Sequence, residues 1–406
     1  NTLVEDIPDI YERLQRYINQ GTYQKNIPRE IEKDCKIIIS LSVVKKLMKK
    51  GKIKTVRRSG LTHVDRGNAI LQVAEQDPLG RFGCRLTKEK LRLEGTHIPR
   101  DFVMRFNKAD NAALVATRHP AQRKTHQHGI YSAGPNEEWC LDGHEKILQS
   151  MGIGVYGIVD KFSRMELSLR AAPNVRDTRL PVSVYLRTVK ERNGIPLSTT
   201  SDKGTELGRL ISLVQALRSE YLPDISEADV PSHSAVKSPQ NITRERGWRP
   251  IWEKELSNIL HFYRVGQNDA GFQPNDAFHA GLSLWVWAKV VQAKLDALLV
   301  ENKYHKIRGQ KKTLLPSDAR RIDLYESPEE YDGMDLKTEI PEEDIDQLLA
   351  EWDDPSLFRF GDEDSIIVYE DLYRTVGSPK PLASDGWYTF HSMLNLHIRR
   401  LQAASM

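Results

Sequence analysis

An α/β core carried between two helical regions is the fold class this sequence predicts, and three observations predict it. The middle third holds short β-compatible runs, IGVYGIVD, MELSLRA and PLSTTSD, separated by turn residues and one long amphipathic stretch. The first third spaces its apolar residues in steps of three and four, as helices do. The last third is acidic and contains IPEEDIDQLLAEWDD, an amphipathic helix by the same spacing. At 406 residues the chain exceeds one domain of about 100–200 residues. Its 39% hydrophobic content suffices for real cores and excludes wholesale disorder.

Charge divides the chain further. The net charge of +3 conceals 26 Lys and Arg against 14 Asp and Glu over residues 1–130, 20 of each over 131–300, and 13 against 22 over 301–406. A basic head implies a polyanionic partner. The expected divisions are a helix-turn-helix unit at 1–60, a second such unit and basic linker at 61–130, the α/β core at 131–300, and an acidic C-terminal region at 301–406.

In the head, Ile7, Ile10, Leu14, Tyr17 and Ile18 predict a helix, and a second begins near Pro28, a favoured first-turn residue. A third starts at Ser40 or Ser42 as N-cap and ends at Gly51; it buries Val43, Val44, Leu47 and Met48 and leaves Lys45, Lys46, Lys49 and Lys50 outside. Two short helices, the second with an exposed cationic face, are the layout of a helix-turn-helix DNA reader. A similar unit follows: a helix over Ala69–Glu75, the turn DPLGRFG, RLTKEKLRLEG, then a candidate recognition helix capped by Thr96 that carries Arg100 and Arg105. His126 and His128 have no cysteine pair to join, which argues against a zinc-binding head. Cys35, Cys84 and Cys140 are too few for a disulfide framework and fit a reducing compartment. NTLVEDIPDI shows no secretory signal, and the most apolar run, Leu282–Val291, is far shorter than the roughly 20 residues of a membrane span. The expectation is a soluble intracellular protein with no membrane partner.

In the core, a short strand Trp139–Leu141 is expected to end on Asp142. IGVYGIVD ends on Asp160, MELSLRA follows the turn KFSR, and Asp177–Asn193 is a helix closed by Asn193-Gly194. PLSTTSD ends on Asp202, and a later helix, Gln240–Arg249, bears Glu245 and is stopped or kinked at Pro250. Three hairpin-forming strands, a helix, a fourth strand and a later acidic helix follow the order of a ribonuclease H-like α/β fold. Carboxylates converging from separate elements suit two hard cations about 3.5–4 Å apart, which act on the attacking and leaving oxygens of a phosphodiester. Asp160 is expected to organise its turn with Ser163 and Arg164.

GPNEEWCLDGHEKI, GIVDKFSR, SDKGTE and NITRERGW, in that order, resemble the catalytic core of retroviral-type integrases. The resemblance is closest to fungal integrase-core-domain proteins linked to transposons and retroelements, and it is strongest over residues 134–310. It implies a mixed five-stranded sheet flanked by helices, preceded by the helix-turn-helix region and followed by an α-rich acidic region. It also implies that Asp142, Asp202 and Glu245 are the catalytic and metal-binding acids for two Mg²⁺ or Mn²⁺ ions, with Asn241 and Trp248 flanking the last. The sequence departs from the family pattern at Thr243-Arg244 and Leu207, and the 43 positions from Asp202 to Glu245 are more than retroviral relatives have.

The implied activity is nicking of DNA ends and joining of the 3′-hydroxyl to target DNA. Double-stranded DNA, both element ends and target, would be the partner, bound in the nucleus by a homo-oligomer. Arg244 and Arg246 are expected to contact phosphates beside Lys45, Lys46, Lys49, Lys50, Arg100 and Arg105, with His144 and Asn241 as accessory groups. The rival expectation is a domesticated, non-catalytic DNA-binding or assembly protein that keeps the core as a scaffold. A nuclease lacking the joining step is a third.

Overall fold

The computed structural model describes residues 7, 9–110, 130–236, 241–310 and 313–404. His126 and His128, with most of the basic linker, lie outside the described residues. The chain forms two compact units, residues 1–125 and 126–406.

The first unit contains six described α-helices. Helices α1 (Ile10–Asn19), α2 (Ile27–Cys35) and α3 (Leu41–Lys50) close on a core of Ile10, Leu14, Ile27, Ile31, Val44, Leu47 and Met48. Pro28 sits in the first turn of α2, Ser40 caps α3 by accepting from the Val43 amide, and Gly51 ends it. Helices α4 (His63–Glu75), α5 (Cys84–Leu93) and α6 (Arg100–Asp110) close on Ile70, Val73, Leu91, Ile98 and Val103. Helix α4 starts six residues earlier than expected, because Thr62 and Asp65 form a capping box. Thr96 does not cap α6, which begins at Arg100 after Pro99.

In the second unit, strands β1 (Glu138–Leu148), β2 (Ile153–Asp160), β3 (Glu166–Ala172), β4 (Ser198–Asp202) and β5 (His233–Val236) form one sheet in the order β3-β2-β1-β4-β5. The first three are antiparallel, while β4 runs parallel to β1 and β5 to β4. Strand β1 runs past its expected end at Asp142, because its pairing with β2 continues through Gly143 and His144. Asp142 therefore lies within a strand. On one face of the sheet pack α7 (Leu180–Arg192) and α8 (Gly208–Tyr221), against Leu141, Tyr156, Ile158 and Leu167. The other face packs against α9 (Ile242–Ile251), α10 (Ser257–Gly266) and α11 (Ala277–Tyr304), through Val155, Leu169 and Ala171. Pro250 does not stop the chain's helical path. After Ile251 it passes through a π-helical turn, Trp252–Leu256, into α10.

The acidic C-terminal segment is built into this unit. After the short α12 (Arg321–Glu326), helix α13 (Glu342–Trp352) lies on α7 with Ile340 and Ile345 in the α7-side core. Lys190 pairs with Asp346, Arg187 with Asp353 and Arg179 with Asp354. Helices α14 (Glu363–Thr375) and α15 (Gly386–Ala404) complete the opposite core, where Trp387 contacts Tyr263, Trp287 and Phe390. No described helix is long and apolar enough to cross a membrane.

Candidate functional site

Asp142 and Asp202 come together through register. Strands β1 and β4 run parallel, with Cys140 opposite Thr200. Two residues further along, each strand carries its aspartate, and even steps keep both on one face. That face is the α9 side, since Asp142 is opposite Gly157 on β2 and a Cβ on Gly157 would touch Trp248 and Arg244 at 3.1 and 3.2 Å. Glycine at 157 leaves room for α9 to approach the sheet.

Helix α9 places its residues by turn. Asn241, just before it, is buried and donates from Nδ2 to the Leu141 carbonyl at 3.2 Å, tying the helix start to β1. One and two turns on, Arg244 and Trp248 point inward. The Trp248 indole Nε1 donates to Asp142 Oδ2 at 2.7 Å, and the Arg244 guanidinium lies 4.0 Å from the Trp248 ring centroid. Glu245, on the opposite side of this turn, is exposed, as is Arg246.

Arg244 corrects an expectation. It is fully buried and paired through both terminal nitrogens with Glu166 on β3, so it has no face to offer a phosphate. A bulge in β3, where the register shifts between Ile158 and Val159, turns Glu166 toward α9 while Leu167 joins the opposite core. Gly247 makes room for the pair, since a Cβ there would stand 2.9 Å from Arg244 Nη2 and from Glu166 Oε1.

The electrostatics follow from this packing. Burial pushes the Asp142 carboxyl up to about 7; the charges of Asp202 and Glu245 push the same way, against the Trp248 hydrogen bond and the Arg244 charge. Asp202 is also raised, by burial first and then by Glu206 and Glu245. The three expected acids thus lie in one another's fields, with Glu206 as a fourth that the sequence reading passed over. Tyr156 was also missed: its buried hydroxyl has no hydrogen-bond partner among the described residues. Its pKa is raised by burial and by the charges of Asp142, Glu206 and Asp202. The signal for Glu206 was its place in DKGTE, four residues past Asp202; Tyr156 gave none, because aromatic residues in strands are ordinarily core.

Four carboxylates without nitrogen or sulfur ligands suit a hard divalent cation in chemistry, although no three His, Cys, Asp or Glu among the described residues are grouped tightly enough to hold one as they stand. His144 packs edge-on against Trp248, ring centroids 5.5 Å apart. In the head, Lys45, Lys46, Lys49 and Lys50 are exposed on α3 opposite its buried stripe, as expected. Arg100 and Arg105 are exposed on α6, where Asp101 and Asp110 dilute the positive charge and Arg105 Nε reaches back to the Asp101 carbonyl at 3.4 Å.

No curated protein matches the chain. Among solved structures, one of the simian T-cell lymphotropic virus intasome in complex with PP2A regulatory subunit B56 gamma is similar, with a TM-score of 0.30 and 14% identity over 59% of this chain and 71% of that one. Residues 130–318 match the integrase core domain family. That span includes all five strands and the helix α9 that carries Arg244, Glu245 and Trp248, so an integrase core domain occupies residues 130–318 of the chain.

Proposed function

We propose that the protein is a divalent-metal-dependent polynucleotidyl transferase of the integrase type, which nicks DNA ends and joins the 3′-hydroxyl to target DNA. The observation that carries this reading is the placement of Asp142 and Asp202 on one face of the sheet by the β1–β4 register, where burial first, and then the charges of Asp202 and Glu245, lift Asp142 to about 7. Like charges gathered from a strand interior, a strand end and a helix are costly unless a cation joins them. Two Mg²⁺ or Mn²⁺ ions held by these acids would supply Lewis-acid activation of the attacking oxygen and stabilisation of the leaving one.

The chain's own residues do the rest. Trp248 occupies Asp142 Oδ2 and leaves Oδ1 for the site, while the Arg244–Glu166 pair fixes the Trp248 ring from behind. Glu245 and Arg246 are exposed on α9, where Arg246 would meet the phosphates of an approaching strand. The exposed lysines of α3 would hold duplex DNA, element end or target, and pairing two ends calls for a homo-oligomer, acting in the nucleus.

The test is incubation of the full chain and Mn²⁺ with labelled duplex carrying the ends of the element that encodes it. Nicking and joining that vanish in Asp202→Asn support the proposal. Nicking without joining points to a nuclease. DNA binding with no turnover, unchanged by Asp202→Asn, establishes the scaffold reading instead.

A further inference from the structure

Directly after α3 comes a second basic segment, residues 52–58, KIKTVRR, whose backbone is fixed while its charges are free. Ile53 is buried at 3% exposure in the first helical core, and its amide donates to the Met48 carbonyl at 3.1 Å. The next residue is clamped by a side-chain amide, since Lys54 N donates to Gln15 Oε1 at 2.7 Å and Gln15 Nε2 donates to the Lys54 carbonyl at 3.1 Å. Val56–Arg58 then closes a short 3₁₀ turn, with the Arg58 amide on the Thr55 carbonyl at 2.9 Å.

On this fixed path the side chains of Lys52, Lys54, Arg57 and Arg58 are all exposed. None pairs with a carboxylate among the described residues, in contrast to Arg13 and Arg16, which share Asp34 in the same unit. The segment borders further positive charge. His97 is driven toward its neutral form by burial and then by the charges of Arg92, Lys54 and Lys88. Lys88 is in turn depressed by burial, with Arg92 and Arg100 acting in the same direction. Exposed cations without a carboxylate partner, as Lys52, Lys54, Arg57 and Arg58 are among the described residues, favour a polyanion.

Resting on the DNA-binding part of the proposed function, we infer that residues 52–58 form a pre-ordered basic arm that lies along the phosphate backbone of duplex DNA beside α3. The arm supplies up to four phosphate contacts through Lys52, Lys54, Arg57 and Arg58. Because its backbone is pinned by Ile53 and Gln15, little chain entropy is lost on binding. Phosphate contacts of this kind position a reader on the duplex and carry no sequence information.

The experiment is fluorescence anisotropy of the full chain on a labelled mixed-sequence duplex of about 30 base pairs, titrated across a range of NaCl concentrations, with melting curves as a check on folding. For the variant K52Q/K54Q/R57Q/R58Q, the slope of log affinity against log salt is expected to become shallower by about 3 to 4, since each phosphate contact contributes about 0.9. The milder R57Q/R58Q should lose about 2, on the same count. An unchanged slope in both variants, with wild-type binding intact, overturns the arm and leaves DNA binding by α3 standing. A wild-type chain that binds no duplex at low salt overturns both.

Discussion

Two aspartates on adjacent strands of one sheet have opposite surroundings. Asp160, at the end of β2, is fully buried, and its oxygens accept from the Asn136 amide at 2.8 Å, the Ser163 amide at 2.8 Å and the Ser163 hydroxyl at 2.6 Å. Burial raises it to about 6 against those donors. Asp142, on β1, has one donor, the Trp248 indole, and stands in the fields of two acids, Asp202 and Glu245, with the Arg244 cation acting against them. A carboxylate met by N–H and O–H groups is a finished internal connection, whereas one that faces like charges is a place where a cation would lower the energy. The expectation that Asp160 organises its turn agrees with this geometry, and the contrast separates it from the site without reference to any relative.

The contrast can be broken by substitution. The largest effect is expected from Asp142→Asn, which removes a charge but keeps an acceptor for Trp248. DNA cleavage should fall by about 10³-fold, the scale of losing one preorganised electrostatic group, while the melting temperature should not fall. A melting temperature lowered as much as the activity would put Asp142 in the same class as Asp160. At Asp160 the outcome reverses: Asp160→Ala strands three buried donors and should cost about 3 kcal/mol in urea unfolding.

Trp248→Phe keeps the ring beneath Arg244 but removes the N–H. It should weaken Mn²⁺ binding about 10-fold, as loss of a group orienting a ligand does, with a stability cost of about 1 kcal/mol; unchanged Mn²⁺ affinity would show that the indole only packs.

A further effect is on pH dependence. The folded value of Asp142, about 7, lies above its ordinary 3.8. The folded state therefore binds the extra proton, and stability is lost as pH rises from about 4 to 7. Asp142→Asn should remove that part of the slope, and urea unfolding at a series of pH values would measure it. Identical slopes in both proteins would contradict the burial and repulsion assigned to Asp142.

Local signals made much of this legible in the sequence. Ser40, Pro28 and Asn193-Gly194 mark helix ends because capping is a matter of a few neighbouring residues, and IGVYGIVD reads as a strand because it is buried on both faces. The three acids are expected from their motifs alone. Distant partners were not legible. Arg244 looked like a phosphate ligand because nothing near it in sequence shows that Glu166, 78 residues earlier, holds it inside. Strand β1 looked short because GHEK is polar, and only pairing with β2 carries it past Asp142. The place of the acidic segment was not legible because its charges dominate its composition, yet Ile340, Ile345 and Leu357 anchor it in the α7-side core, and three of its acids pair with Arg187 and Lys190 of α7 and with Arg179 just before it.

The central claim is that Asp142, Asp202 and Glu245 form a cation site. Thermal unfolding of the full chain with increasing Mn²⁺ tests it most directly, since an ion bound only by the folded state raises the melting temperature. The account predicts a saturable rise for the wild type and none for Asp202→Asn. An equal rise in both, or none in the wild type, would contradict it.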